Sequence, residues 1–238
     1  MKMNYSNRFL GSIILLFVMI QNQSCVKSGW DEEFEVTHTI ASKNPKTENL
    51  SLVVVPFFIE DADFNNPVTG HTTQLYTLNG HKPILAPDGH YITLGEFNEV
   101  TGTASVKCIS SGTQVKLHLR NLIPKGVYTI WSLTFRTPGF DGTFESFSNL
   151  TGLGSLGTSD GSSNSFVASA SGEGQITRII PPGNLSAFGS IGSCILDDEF
   201  EVHFVGAYHI DGLTYGATPG PGGTYIEQFG FIFRNQMN

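Results

Sequence analysis

Residues 199–210, EFEVHFVGAYHI, alternate with a period of two, which is the repeat of a strand and not the 3.6 of a helix. Phe200, Val202, Phe204, Gly206, Tyr208 and Ile210 share one face, and Glu201, His203, Val205 and His209 share the other. The first face is the core face. Val115, Leu117 and Leu119 alternate in the same way against Gln114, Lys116 and His118. Nowhere does the chain sustain a helical period with caps. Short apolar blocks between Gly, Pro, Asn and Asp clusters instead give candidate strands at 34–40, 52–59, 75–78, 104–109, 115–119, 127–135, 165–170, 175–180, 199–210 and 225–233. This spacing predicts an all-β chain folded as an antiparallel β-sandwich, immunoglobulin-like or jelly-roll-like. VYTIWSLTF at 127–135 is apolar on both faces, so it reads as a central strand covered on both sides, with Trp131 packed.

The N-terminus carries Lys2 and Arg8, then an apolar run from Phe9 to Ile20, then a polar stretch ending at Cys25. That order is a signal peptide, and twelve apolar residues are shorter than the ~20 a helix needs to cross a bilayer. QNQSC resembles a Bacteroidota-type lipoprotein signal, with Asn22 where Leu is usual. The resemblance implies lipidation of Cys25, which holds a protein at the envelope through ~0.8 kcal/mol per buried methylene. Asp31, Glu32, Glu33 and Glu35 follow, resembling the acidic signal for surface display of outer-membrane lipoproteins; a solvated tether is the plainer reading. The expected organisation is therefore a signal peptide at 1–24, a lipidated tether and edge strand at 25–50, and one sandwich domain at 51–238. Without 1–24 the 13 cations fall to 11 against 21 acids, a net charge of −10 in place of −8. Such a deficit excludes a nucleic-acid surface, which needs clustered Lys and Arg.

With Cys25 assigned to lipid, Cys108 and Cys194 remain, and an even remainder in an exported chain reads as one disulfide. A catalytic Cys108 would need a neighbouring His that the local sequence lacks.

Few residues combine into recognisable chemistry. His203 and His209 are six positions apart, roughly 20 Å along a strand, too far to share an ion. His71, His81 and His90 sit in successive glycine turns, where exposed histidines are the more economical reading than a metal site. Asp197, Asp198, Glu199 and Glu201 form an acidic run better explained as a solvated strand start than a calcium site. SDGSSN at 159–164 lacks the full EF-hand pattern. His209 and Asp211 are the catalytic candidates, although Asp211-Gly212 also fits a two-residue hairpin turn between 208–210 and 213–215. No G-x-S-x-G elbow is present. No metal or cofactor is expected. The 29 residues of 136–164 have few strand signals and many apolar residues, Phe140, Phe144, Phe147, Leu150, Leu153 and Leu156 among them. They either cover an open end of the sandwich or supply a recognition surface of Arg136, Phe140, Asp141 and Phe144 with Tyr215 and Tyr225.

Residues 84–234, through LAPDGHYITLGEF, LIPKGVYTIWSLTF, GEGQITRIIPPGNLSAFG and VHFVGAYHIDGLTYG, resemble an uncharacterised family of secreted bacterial β-domain proteins. The resemblance implies a compact β domain and a disulfide, with no activity attached. The expectation is an outer-membrane lipoprotein acting as a non-catalytic binding or interaction module for a glycan or protein. Its rival is a metal-dependent or hydrolytic enzyme built on His209 and Asp211.

Overall fold

The computed structural model describes residues 47–55, 58–143 and 145–235, all within one unit, Pro45–Asn238. Cys25 and the expected strand at 34–40 lie outside the described residues. The strands are β1 Thr47–Val54, β2 Ile59–Glu60, β3 Tyr76–Thr77, β4 Thr101–Ile109, β5 Gly112–Arg120, β6 Val127–Phe135, β7 Leu150–Ser155, β8 Ser165–Val167, β9 Gly174–Ile180, β10 Gly183–Asn184, β11 Ser190–Ile191, β12 Glu201–His209 and β13 Tyr225–Arg234. Two short helices, α1 Leu94–Asn98 and α2 Ile195–Asp198, and a 3-10 turn at Glu145–Asn149 accompany them.

Nine strands form one antiparallel sheet in the order β7-β6-β12-β13-β1-β4-β5-β9, with β8 also against β6. β1 serves two layers. Its first half pairs with β4, from Thr47 opposite Lys107 to Ser51 opposite Thr103. Its second half pairs with β13, where Leu52 faces Phe231 and Val54 faces Phe229. A strand that changes partner midway makes the corner at which a sheet folds over on itself. The all-β antiparallel sandwich expected from the alternation is the fold observed, curled as a half barrel.

The two inner faces close on each other. Val106, Val115, Leu117 and Ile176 come from the β4-β5-β9 layer, and Tyr128, Ile130, Val202, Phe204, Phe229 and Phe231 from the other, all at most 2% exposed. Each such side chain contributes roughly 1.5–3 kcal/mol of transfer free energy.

Residues 60–100, turn-rich in sequence with one candidate strand at 75–78, form a lobe together with β2, in which that strand is shortened to β3, Tyr76–Thr77, and α1 is added. β2 pairs with β3, α1 starts in a Thr93–Glu96 capping box, and Leu75, Ile84, Ile92 and Phe97 are buried. A bulge on β13 places Gln228 between Phe229, opposite Gly206, and Glu227, opposite Ala207. The extra residue points into the core, where Gln228 Nε2 donates to the Phe97 carbonyl at 3.1 Å and Oε1 accepts the Tyr128 hydroxyl at 2.8 Å. Tyr128 Oη accepts the Ile123 N–H at 2.9 Å. The bulge thereby ties lobe to sheet. Tyr128→Phe would leave the Ile123 N–H and Gln228 Oε1 unpaired, at ~1–3 kcal/mol for each buried group. Urea unfolding is expected to show a loss of about 2 to 4 kcal/mol with unchanged m; an unshifted midpoint would mean that water takes over both bonds.

Cys108 on β4 and Cys194 at the N-cap of α2 form a disulfide, with Cα atoms 5.6 Å apart. The Thr113 hydroxyl accepts the Ile195 N–H at 2.9 Å, docking α2 onto β5.

Two local expectations are corrected. Asp211 and Gly212 do not close a hairpin onto 213–215: the Gly212 N–H bonds the His209 carbonyl, and the strand returning beside β12 is β13. The segment 136–164 is not one loop, because β7 within it pairs with β6 from Leu153 opposite Leu133 to Ser155 opposite Trp131.

A candidate binding groove on the outer face

The alternation of β12 separates a core face from an outer face, yet both are buried: His203 and Val205 are only 6% and 5% exposed. Strands on either side and a loop above produce this cover. The outer face of β6-β12-β13-β1 carries Leu133 and Phe135, His203 and Val205, Glu227, Gly230 and Ile232, and Val53 with Val55 just beyond the strand. Phe140 and Phe147 from the loop after β6, together with Phe58, complete the walls of a shallow groove of about 80 Å³, partly open to solvent. Val53 and Ile232 at its rim are 42% and 41% exposed.

One end is built around Glu201, which is fully buried. Its Oε1 accepts the Phe140 N–H at 2.9 Å and His203 Nε2 at 2.7 Å; Oε2 pairs with the Arg234 guanidinium. Arg234 Nη2 also reaches the Phe140 carbonyl at 3.3 Å. The backbone of Phe140 is thus gripped on both polar groups. Gly139 makes the approach possible: its φ is +91°, and a Cβ there would lie 2.3 Å from Glu201 Oε2. Phe140 then packs on Phe147 and against His203, with ring centroids 4.9 and 5.7 Å apart. Burial holds the His203 imidazole below its ordinary pKa, opposed by the Glu201 carboxylate and assisted by the charge of Arg234.

Toward the other end lies Glu227, opposite Ala207 and so four residues along β12 from His203, or roughly 13 Å. Burial alone pushes its carboxyl up to about 7. Beyond it, His209 lies between Tyr215 and Tyr225, with centroids 6.1 and 6.2 Å away. The Thr129 hydroxyl joins His209 Nε2 at 2.8 Å and Trp131 Nε1 at 3.2 Å. The indole N–H donates to the Thr129 hydroxyl, and His209 Nδ1 has no hydrogen-bond partner among the described residues. Burial lowers the His209 pKa, against the charge of Asp211.

The residues singled out in the sequence are divided by this geometry. Phe140 lines the groove, while Tyr215 and Tyr225 flank His209 at the far end. Arg136 and Asp141 turn away to Ser148 and Thr143, and Phe144 lies outside the described residues. Asp211 accepts the Leu213 N–H at 3.1 Å and the Tyr215 hydroxyl, so its recorded partners belong to its own loop and not to His209. His81 stacks between Phe64 and Tyr76 and bonds Glu60; His90 bonds Asp88 and Glu96; His71 packs against Gly95. In the acidic run, Asp198 takes the Ser193 N–H, Glu199 the Thr151 hydroxyl, and Glu201 is interior. Among the described residues the one trio with metal-ligand spacing is Cys108, Cys194 and Asp197, whose sulfurs are joined in the disulfide. No helix among them is long and apolar enough to cross a membrane.

His203 and Glu227 line the groove and Glu201 anchors its end; sequence reading weighs His203 and Glu201 only as metal ligands, and Glu227 not at all. A signal existed for the last: YIEQFGFIF is apolar but for Glu227 and Gln228, and a lone acid in such a strand lacks a solvated face to occupy. No family model, curated protein or solved structure matches the chain.

Proposed function

We propose that the protein is a non-catalytic binding module, held at the cell envelope by lipid on Cys25, whose outer-face groove takes an apolar segment of a partner protein. The observation that carries this reading is the groove itself. It has aromatic walls, aliphatic residues at its rim, and backbone held in place by the Glu201–Arg234 pair. None of its lining residues is a Ser, Thr or Cys that could serve as a nucleophile. Apolar lining with a few fixed polar groups is the composition of ligand sites in general.

Selection of displayed peptides on the purified protein is expected to yield an apolar consensus that Val205→Glu, at the groove floor, abolishes. A selection that returns no consensus, or one indifferent to Val205→Glu, would remove the support for this site. A glycan ligand has one observation in its favour. Phe64, 66% exposed with φ +64°, stacks at 3.8 Å on His81, itself stacked on Tyr76, and so offers one open aromatic face to a sugar ring. Glycan-array binding lost in Phe64→Ala would favour that reading instead.

A further inference from the structure

We infer that the segment bound in the groove carries a cation, a lysine or arginine side chain or an amino terminus, which pairs with Glu227. The inference rests on the groove being the binding site and adds the chemistry of its occupant. Two ionisable groups line the groove, His203 and Glu227. They are not equivalent. His203 is already engaged, with Nε2 on Glu201 at 2.7 Å, and Glu201 in turn has Arg234. Among the described residues the Glu227 side chain has no hydrogen-bond or ion-pair partner, and neither Lys nor Arg stands among those lining the groove. The elements around it present Thr129 and Trp131 on β6, Val205, Ala207 and His209 on β12, and Val55, whose N–H bonds the neighbouring Gln228 carbonyl; of these only His209 titrates, and burial holds it below its ordinary pKa. On its own strand the neighbouring titratable group is the Tyr225 phenol, pushed up by burial and by the Glu227 charge.

A carboxylate in apolar surroundings without a countercharge is costly. The cost falls when a ligand supplies the cation, so a segment with apolar side chains and one positive charge satisfies both parts of the groove. The separation of Glu227 from the His203 end, roughly 13 Å, is that of four extended residues. An aromatic side chain beside Phe140 and Phe147 and a cation near Glu227 are therefore compatible with one short strand-like peptide. The acidic balance of the chain, −8 overall, favours the approach of such a segment.

The test uses three small probes of one shape, phenethylammonium, 2-phenylethanol and 3-phenylpropionate, titrated into the purified protein and followed at the backbone amides of Val205 and Gly230 by NMR. At pH 8 the ammonium probe is expected to bind about tenfold more tightly than the alcohol, as suits a hydrogen bond to a charged group, and the carboxylate most weakly. The preference is expected to vanish in Glu227→Gln, which keeps size and polarity. It is also expected to vanish at pH 6 in the wild type. The sign follows from the raised carboxyl: with a value of about 7, Glu227 is ionised at pH 8 and mostly protonated at pH 6. His203 and His209 are held below their ordinary values, and Glu227→Gln, which leaves both imidazoles in place, separates their titration from that of Glu227. Equal affinity for ammonium and alcohol at pH 8, with both perturbing Val205 and Gly230, would overturn the cation inference and leave the groove standing. Failure of all three probes to perturb those amides would overturn both.

Discussion

Replacing both Cys108 and Cys194 by Ala is expected to lower the unfolding free energy by about 4 to 5 kcal/mol and the melting temperature by roughly 10 to 15 °C. The bond closes a loop of 86 residues, and the chain entropy it removes from the unfolded state grows with the logarithm of that length. The loop contains β5 through β11, among them strands from both layers. The cross-link therefore favours the β5–β9 pairing, from Thr113 opposite Ile180 to Leu119 opposite Gly174, whose two strands lie toward the two ends of the closed loop. Cys194 is 4% exposed and its neighbours Ile195 and Leu196 are fully buried, so the bond also holds α2 against β4 and β5. Wild type in reductant is expected to match the double Ala variant in denaturant unfolding. A loss below about 1 kcal/mol in both would mean that the unfolded chain is already constrained over this loop.

Strand positions were legible because the alternation is local. Val127–Phe135 was read residue for residue, and β12 and β13 within two residues at each end. What alternation cannot report is which faces are covered. Glu201, His203, Val205 and His209 read as the outward face of a strand, and they are outward from the core, yet the loop at 136–149 and the residues after β12 bury them. That cover depends on tertiary contacts, above all the fit of Gly139 over Glu201, which carry no sequence period. β7 was hidden for a related reason. In LTGLGS, a Cβ at Gly152 or Gly154 would meet the Leu185 side chain at 2.8 or 3.0 Å. Close packing of the 185–189 segment there demands residues of poor strand propensity. The cysteine count, by contrast, led directly to the disulfide, because two cysteines remain once the expected lipid site Cys25 is set aside, and they leave one pairing. The groove was legible only in fragments. Phe140 was singled out, but its partners Glu201 and Arg234 are 61 and 94 residues away.

Arg234→Met is expected to cost about 1 to 3 kcal/mol at pH 8 and less as the pH falls below 6.5. Met keeps the apolar stem and removes the guanidinium, leaving the Glu201 carboxylate fully buried without its countercharge, while the 54% exposure of the Arg234 side chain keeps the loss below that of a wholly buried pair. The carboxylate would retain the Phe140 N–H and His203 Nε2, and only His203 can become charged. In the wild type the Arg234 charge is among the causes that lower the His203 pKa, after burial, while Glu201 raises it. With Arg234 gone the smallest of the causes is lost while burial, the largest, still lowers the His203 value, so that value is expected to rise toward that of an unfolded histidine. A folded pKa below the unfolded ~6.5 makes acidification through 6.5 destabilising, and less so the smaller the depression. The wild type, with the deeper depression, therefore loses more stability below pH 6.5 than the variant does. Denaturant unfolding of the two proteins at pH 8, 7 and 6, with the His203 ring followed by NMR, would show their stabilities converging as pH falls. Parallel pH profiles would mean that Glu201 does not hold His203 as its second partner, and the anchor of the Phe140 loop would then rest on the backbone bonds alone.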